Sequence, residues 1–536
     1  MSRSSLLNFF RRAAALNRLS KKSGINSSEL IDIIEDRRQR KLNFSRRKLL
    51  KTGLAATGFA GATLIGKRGQ AQSVAQDANI NPVLVVGAGI AGLTAAYRLQ
   101  QAGVPVEIVE ARNRVGGRMH SFENALGTGQ TVEIGGEWID TNHTAIRNLI
   151  EELGFELTDL QTLEEGLVPK TFFFEGRTIS ASEILSNFKP VAEQVDADYA
   201  SIEEYENYKQ NYPAATALDR TSITEYLERI PTSSIVRKLL DVSYTTFFGL
   251  DAEEQTSLNL IYTLGTDTNN FALFGESDER FHLYGGNAQI PRKLATLLNR
   301  PVELGTILEA ISETPNGRYR VSLRSGRCSY ERTYEHVLIT IPLPVLRNVD
   351  FKLELPPVKR LGIETMGWGT NNKLLTAYRE KVWRNRYNST GESYSDLGYQ
   401  ETRECSITRG QQDVSLFVNY IGGKHGLEFE FTPSRKAVRE MTEMVNRVYP
   451  GFKQAQVSPQ ALRSGWRGDK FSRGSYSCYR VGQLTRLYGS EGERVGNIFF
   501  AGEHTSLESQ GYMNGGCESG ERAAKEILQS LKLTAR

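Results

Sequence analysis

The chain has 536 residues, 24% charged and 39% hydrophobic, with four cysteines and six histidines. Its formal charge of +4 is unevenly spread: residues 1–71 hold 16 of the 66 Lys and Arg and 4 of the 62 Asp and Glu, a net +12, which leaves −8 on the rest. A basic excess confined to one end excludes a nucleic-acid surface as the reading of that charge, and Cys328, Cys405, Cys478 and Cys517 lack both metal-ligand spacing and the number a disulfide framework needs.

Residues 1–44 read as short amphipathic helices or disorder, a long preface to a signal-like segment. Ser45-Arg46-Arg47-Lys48-Leu49-Leu50-Lys51 leads into an apolar run from Leu54 to Ile65, with small residues Gly69 and Ala71 ahead of a cleavage point. The run is too short and too rich in Ala, Gly and Thr for a spanning helix, which takes about 20 apolar residues. The Ser-Arg-Arg-x-Leu-Leu-Lys pattern resembles the twin-arginine signal, whose machinery moves folded proteins, and Lys67 and Arg68 beside the cleavage point fit that pathway. The expectation is a leader over 1–71 and a periplasmic or otherwise exported protein of about 465 residues, enough for two domains. A homodimer is left open.

The strand Val83–Val86 then runs into Gly87-x-Gly89-x-x-Gly92, a helical pattern from about Ala91 to Ala102, and a second strand, Val106–Val109, that ends in Glu110. Gly87 permits the tight turn, Gly89 lets backbone approach a pyrophosphate, and Gly92 packs helix on strand; the helix N-terminus faces the phosphate charge. Glu110, eighteen residues past Gly92, is placed to accept from ribose hydroxyls. Dinucleotide binding is the reading.

The continuation Glu110-Ala111-Arg112 to Gly116-Gly117-Arg118 resembles the second signature of the flavin amine oxidase family, and further segments extend that resemblance over nearly all of residues 80–536. They include Gly135-Gly136-Glu137, the Gly285-Gly286 element with Ile290 in a leucine place, the strand at Val302, "GTNNKLL", "WRGDKFSRGSYSCY" and "AGEHTSLESQGYMNGG". The resemblance implies an α/β fold: a discontinuous, doubly wound FAD-binding domain (80–147, 281–365 and 466–536) beside a mixed-sheet-plus-helices substrate domain (148–280 and 366–465). It implies FAD contacts from Gly87, Gly89, Ile90, Ala91, Gly92, Glu110, Ala111, Arg112, Gly117, Arg118, Gly136, Glu137, Val302, Gly502, Glu503, Gly511, Tyr512 and Met513.

Three positions carry the chemistry by resemblance. Lys373 matches a lysine that holds a water near flavin N5, and Tyr476 and Tyr512 match two sides of an aromatic cage that guides the amine, since aromatic faces attract ammonium groups. Hydride transfer to N5 would leave an imine that hydrolyses, giving a 2-oxo acid, ammonia and, with molecular oxygen, hydrogen peroxide. Monoamine oxidases attach FAD through a cysteine just before the cage tyrosine; Ser475 stands there, so FAD is expected to be non-covalent and loaded before export. An L-amino acid needs a cation for its carboxylate. The eukaryotic L-amino-acid oxidases have an arginine where this chain has Trp138, which leaves Arg403 or Tyr399 as substitutes. Glu137, Asp140 and Glu401 are acidic candidates for a distal cation. The expectation is an oxidase of L-amino acids, basic ones included. The alternatives are a primary amine or polyamine oxidase, a dehydrogenase passing electrons to a quinone, a desaturase or porphyrinogen-type oxidase, and an FAD-loaded binding protein.

Overall fold

Four consecutive apolar residues, Val83–Val86, are each at most 3% exposed, the signature of a parallel strand covered on both faces. In a computed structural model of the protein, which describes residues 81–533 apart from 270 and 406–413, this strand is the centre of a five-stranded parallel sheet. The order across it is Ile498–Phe500, Val337–Ile339, Val83–Val86, Val106–Glu110 and Glu303–Leu304. Val85 pairs with Leu338 on one side and Ile108 on the other. The expected leader lies outside the described residues.

The helix Ile90–Gln101 comes after the central strand and packs against the long helix Met513–Ser530. Close approach is possible because small residues meet: a Cβ on Gly520 would sit 2.4 Å from the Ala91 carbonyl oxygen. The chain's last helix is thereby brought to its first. A four-stranded sheet ordered Cys328–Tyr334, Tyr319–Ser325, Thr306–Glu313 and Asp350–Lys352 adjoins this unit.

The second large sheet has seven strands, ordered Leu462–Arg463, Asn372–Tyr378, Ser415–Ile421, Glu401–Glu404, Ser393–Ser395, Thr171–Phe174 and Arg177–Ile179. All seven residues of Asn372–Tyr378 are buried. Tyr378, Trp383, Phe417 and Phe452 pack ring against ring, with centroids 4.1 to 6.0 Å apart, in a core completed by Val438, Met441 and Val445 of the amphipathic helix Ser434–Val448. This is the expected α/β fold, a parallel cofactor-type sheet beside a mixed sheet with helices.

Candidate active site

The site starts at the first turn. Gly87 has φ +107°, and a Cβ there would lie 2.6 Å from Thr340 Oγ1. Gly92 is more constrained still, since its Cβ would meet the Gly87 carbonyl oxygen at 2.0 Å. Gly89, the N-cap of the helix, has no side-chain cap, and a Cβ on it would meet nothing within 4 Å. Helix N–H groups therefore face an open cleft, which favours phosphate. Glu110 accepts from the backbone N–H groups of Ala88 (2.9 Å) and Arg112 (2.8 Å), and a carboxylate keeps further lone pairs for ribose hydroxyls.

From this turn a continuous cleft runs between the sheets to Trp138, Tyr476 and Tyr512. Of the expected cofactor positions it is lined by Gly87, Gly89, Ile90, Ala91, Glu110, Ala111, Arg112, Gly117, Arg118, Gly136, Glu137, Gly502, Glu503, Gly511, Tyr512 and Met513. Gly92 lies behind the wall as a packing residue. Val302 is not on the cleft either, which corrects its expected contact with the cofactor. The short strand Glu303–Leu304 ends at Gly305 (φ +68°), and the turn brings Thr306, Ile307 and Leu308 to the cleft instead.

Arg118 donates to Glu503 (2.9 Å) and to the Ser475 carbonyl (2.7 Å). Glu503 also accepts from Ser477 N–H, Ser477 Oγ and Gly511 N–H. Burial pushes this carboxyl up, but Arg118 and these donors outweigh it and hold the group below the usual range. An elongated cleft with an open helix end, a carboxylate at its adenosine end and no Cβ at Gly89 fits FAD.

Lys373 joins the two units. Its Nζ donates to the carbonyls of Glu133 (3.1 Å) and Gly135 (3.0 Å) and to Glu137 Oε2 (2.5 Å). All three ammonium hydrogens have protein acceptors, so Lys373 acts as a strut under the Glu133–Glu137 segment, and it lines the cleft as well. Asn287 Nδ2 secures the same segment through the carbonyls of Gly136 and Glu137.

At the far end Tyr476 and Tyr512 both line the cleft. Tyr476 shares a hydrogen bond with Tyr420 (2.9 Å) and donates to the Phe247 carbonyl (2.7 Å). Tyr512 is flanked by the His143 ring (4.7 Å) and by Phe247 (6.3 Å), which stacks on Phe274 (4.3 Å). Burial raises both cage phenols, so they stay protonated.

Beyond the cage, Arg403 pairs with Glu401 (2.8 Å), Glu392 (3.3 Å) and Glu279, with its guanidinium 5.8 Å from the Trp138 ring centre. Glu392 also binds Lys170. Burial pushes Glu401 up to about 7 even beside Arg403. Three candidates for substrate contact are corrected. Tyr399 is 1% exposed in the core of the seven-stranded sheet, hydrogen-bonded to Ser393. Asp140 is 2% exposed, accepts from the Glu279 N–H, and does not line the cleft. Glu137 is committed to Lys373.

Ser475 Oγ donates to Asn371 (2.7 Å), while Cys478 is buried beside Asn259; among the described residues no cysteine lines the cleft. Sequence reasoning missed Glu279, Phe247, Phe274, Tyr420 and Ile307. Ile307 carried a usable signal, the glycine turn just before its strand; the others reach the cleft from segments with no local motif.

Comparison with known proteins places this geometry. The profile of the family "Flavin containing amine oxidoreductase" matches residues 90–528. The flavin-containing amine oxidase B of Cavia porcellus is 25% identical over 462 residues, covering 84% of this chain and 86% of that protein. The flavin-containing amine oxidase A of Bos taurus is 26% identical over 479 residues, covering 85% and 86%. Among solved structures, cyclohexylamine oxidase from Brevibacterium oxydans superimposes with a TM-score of 0.72 at 22% identity, and putrescine oxidase bound to putrescine with 0.72 at 19%. Each alignment covers 84% of this chain and 99% of the other.

Proposed function

The chain belongs to the flavin-containing amine oxidoreductase family, and from that premise we propose that its substrates are L-amino acids, oxidised at the carbon bearing the amine. The observation that carries this reading is Arg403, a guanidinium on the substrate side of the cleft and thus a seat for a substrate carboxylate. When bound, FAD supplies the two-electron acceptor and returns those electrons to molecular oxygen or a quinone.

The chain's own residues bind and orient. Tyr476 and Tyr512 present ring faces on two sides of the amine, and the hydroxyl of Tyr476 is anchored by Tyr420 and the Phe247 carbonyl so that its ring is fixed. Lys373 and Glu137 fix the backbone of Gly135 and Gly136 along the cofactor side of the cleft. Phe247 and Phe274 close the wall against water. The imine product leaves for hydrolysis to a 2-oxo acid and ammonia.

A second reading, oxidation of an amine with no carboxylate, is favoured by a different fact: Arg403 already holds three carboxylates. Decarboxylated pairs decide between them. The protein without residues 1–71 is mixed anaerobically with L-arginine or agmatine, and with L-lysine or cadaverine, while flavin absorbance is recorded. Faster bleaching by the amino acids supports the first reading; bleaching by agmatine and cadaverine alone sinks it.

Non-covalent FAD and twin-arginine export belong to the same proposal, supported by Ser475 in the attachment place and by the Ser45–Lys51 motif. Acid precipitation that leaves all flavin in the supernatant is the expected result for the first, and periplasmic recovery that fails for an Arg46→Lys/Arg47→Lys variant for the second.

A further inference from the structure

We propose that the outer cleft selects substrates with a second positive charge, and that Glu279 is the residue that meets it. The inference rests on amine oxidation at this cleft and holds under either reading above. It concerns which charge the described site prefers.

The network around Arg403 contains three carboxylates, Glu279, Glu392 and Glu401, and two cations, Arg403 and Lys170. Burial pushes Glu401 up to about 7, so above that pH all five are ionised and one negative charge is left uncompensated at the cleft wall. The three carboxylates are not equivalent. Glu392 is shared among Lys170, Arg403 and the Tyr394 hydroxyl (3.1 Å). Glu401 also lines the cleft but is 6% exposed, on a strand interior to the sheet. Glu279 is the accessible member: its side chain is 24% exposed, it lines the cleft, and its carboxylate pairs with Arg403. Its position is fixed from behind, because its own N–H donates to buried Asp140 (2.8 Å). Burial first, and Glu279 second, push Asp140 up to about 7.

An uncompensated carboxylate in a partly desolvated cavity is costly, and a substrate cation relieves that cost where a neutral group of the same shape does not. The aromatic face of Trp138 adds a second attraction for a cation near Arg403 and Glu279. If a substrate carboxylate takes the place of Glu279 on Arg403, the released Glu279 is freer still to hold the distal group.

The test uses holoenzyme and charge-differing pairs of equal length: L-arginine with L-citrulline, L-lysine with L-2-aminoheptanoic acid, and putrescine with pentylamine. Anaerobic flavin reduction gives a rate and an apparent Kd for each. The cationic member of each reactive pair is expected to be favoured about 10- to 100-fold in rate over Kd, the lower range for a close charge pair that loses its water on binding. In Glu279→Gln that ratio falls toward 1, and in Glu279→Asp it is largely restored, with the flavin spectrum as a check on folding. A wild-type ratio near 1, or an unchanged ratio in Glu279→Gln, overturns the inference. If no pair reduces the flavin, the amine-oxidation reading fails instead, and titration calorimetry of the same pairs still decides charge selection from their Kd values. Should Glu279→Gln not fold, Glu279→Ala is read in its place with the same two outcomes.

Discussion

Replacing Lys373 with methionine removes the cation from a buried pair and leaves the Glu137 carboxylate, 6% exposed at its side chain, without its partner at 2.5 Å. Breaking a buried ion pair from one side costs about 3–5 kcal/mol, whereas removing both charges together is close to neutral. Two carbonyls, those of Glu133 and Gly135, lose a donor as well, at about 1 kcal/mol each. Lys373→Met is therefore expected to cost about 5–7 kcal/mol. The double variant Lys373→Met/Glu137→Gln, which no longer buries a lone charge, is expected to cost about 2 kcal/mol, about 3–5 kcal/mol less than Lys373→Met alone. For roughly 450 ordered residues the unfolding entropy is about 0.9 kcal/mol/K, which turns the single-variant loss into a drop in Tm of about 6–8 °C. The assay is thermal unfolding of wild type, both single variants and the double, monitored by flavin release and circular dichroism. A double variant no more stable than Lys373→Met would refute the reasoning, because the pair would then not be what holds the Glu133–Glu137 segment.

Two glycines should fail in different ways. Gly92→Ala forces a Cβ to 2.0 Å from the Gly87 carbonyl and is expected to lower the apoprotein's own unfolding midpoint. Gly89→Ala meets nothing, so the apoprotein midpoint holds while FAD affinity, read by fluorescence titration, falls at least tenfold. Tyr512→Ala opens one side of the cage and is expected to reduce kcat/KM about tenfold, the worth of one aromatic face; Tyr512→Phe should retain most of it, and equal losses in the two would argue that the hydroxyl rather than the ring matters. Burial, outweighing the neighbouring Glu503, lowers the His504 pKa to about 4 from 6.5. A depressed folded value means the unfolded chain binds the proton first, so this histidine's contribution is complete above pH 6.5 and lost as pH falls toward 4. His504→Gln should flatten the fall in urea midpoint between pH 6.5 and 4.5 relative to wild type; a parallel curve would contradict the assignment.

The cofactor half was legible because its determinants are close in sequence. The turn from Gly87 to Gly92 and the acidic residue at Glu110 lie within 24 residues, and backbone sterics at a strand–helix turn act over that range regardless of the rest of the chain. Lys373, Tyr476 and Tyr512 were found only through their motifs, and only the structure shows Lys373 on the cleft against acceptors 236 to 240 residues away. Val302 shows the limit of motif transfer: the turn at Gly305, with its positive φ, leaves Val302 off the cleft and brings Ile307, four positions past the start of the paired strand at Glu303, onto it.

By itself, then, the sequence determined the dinucleotide turn, the order of the flavin-type segments and the identity of Arg403 as a candidate cation. Only the tertiary structure decided that this cation is shared by Glu279, Glu392 and Glu401, that Tyr399 and Asp140 are out of reach, and that one carboxylate stands accessible at the wall. The reason is that charge compensation depends on distance through space and on the water removed between the groups, and neither quantity is written in the spacing of residues along the chain.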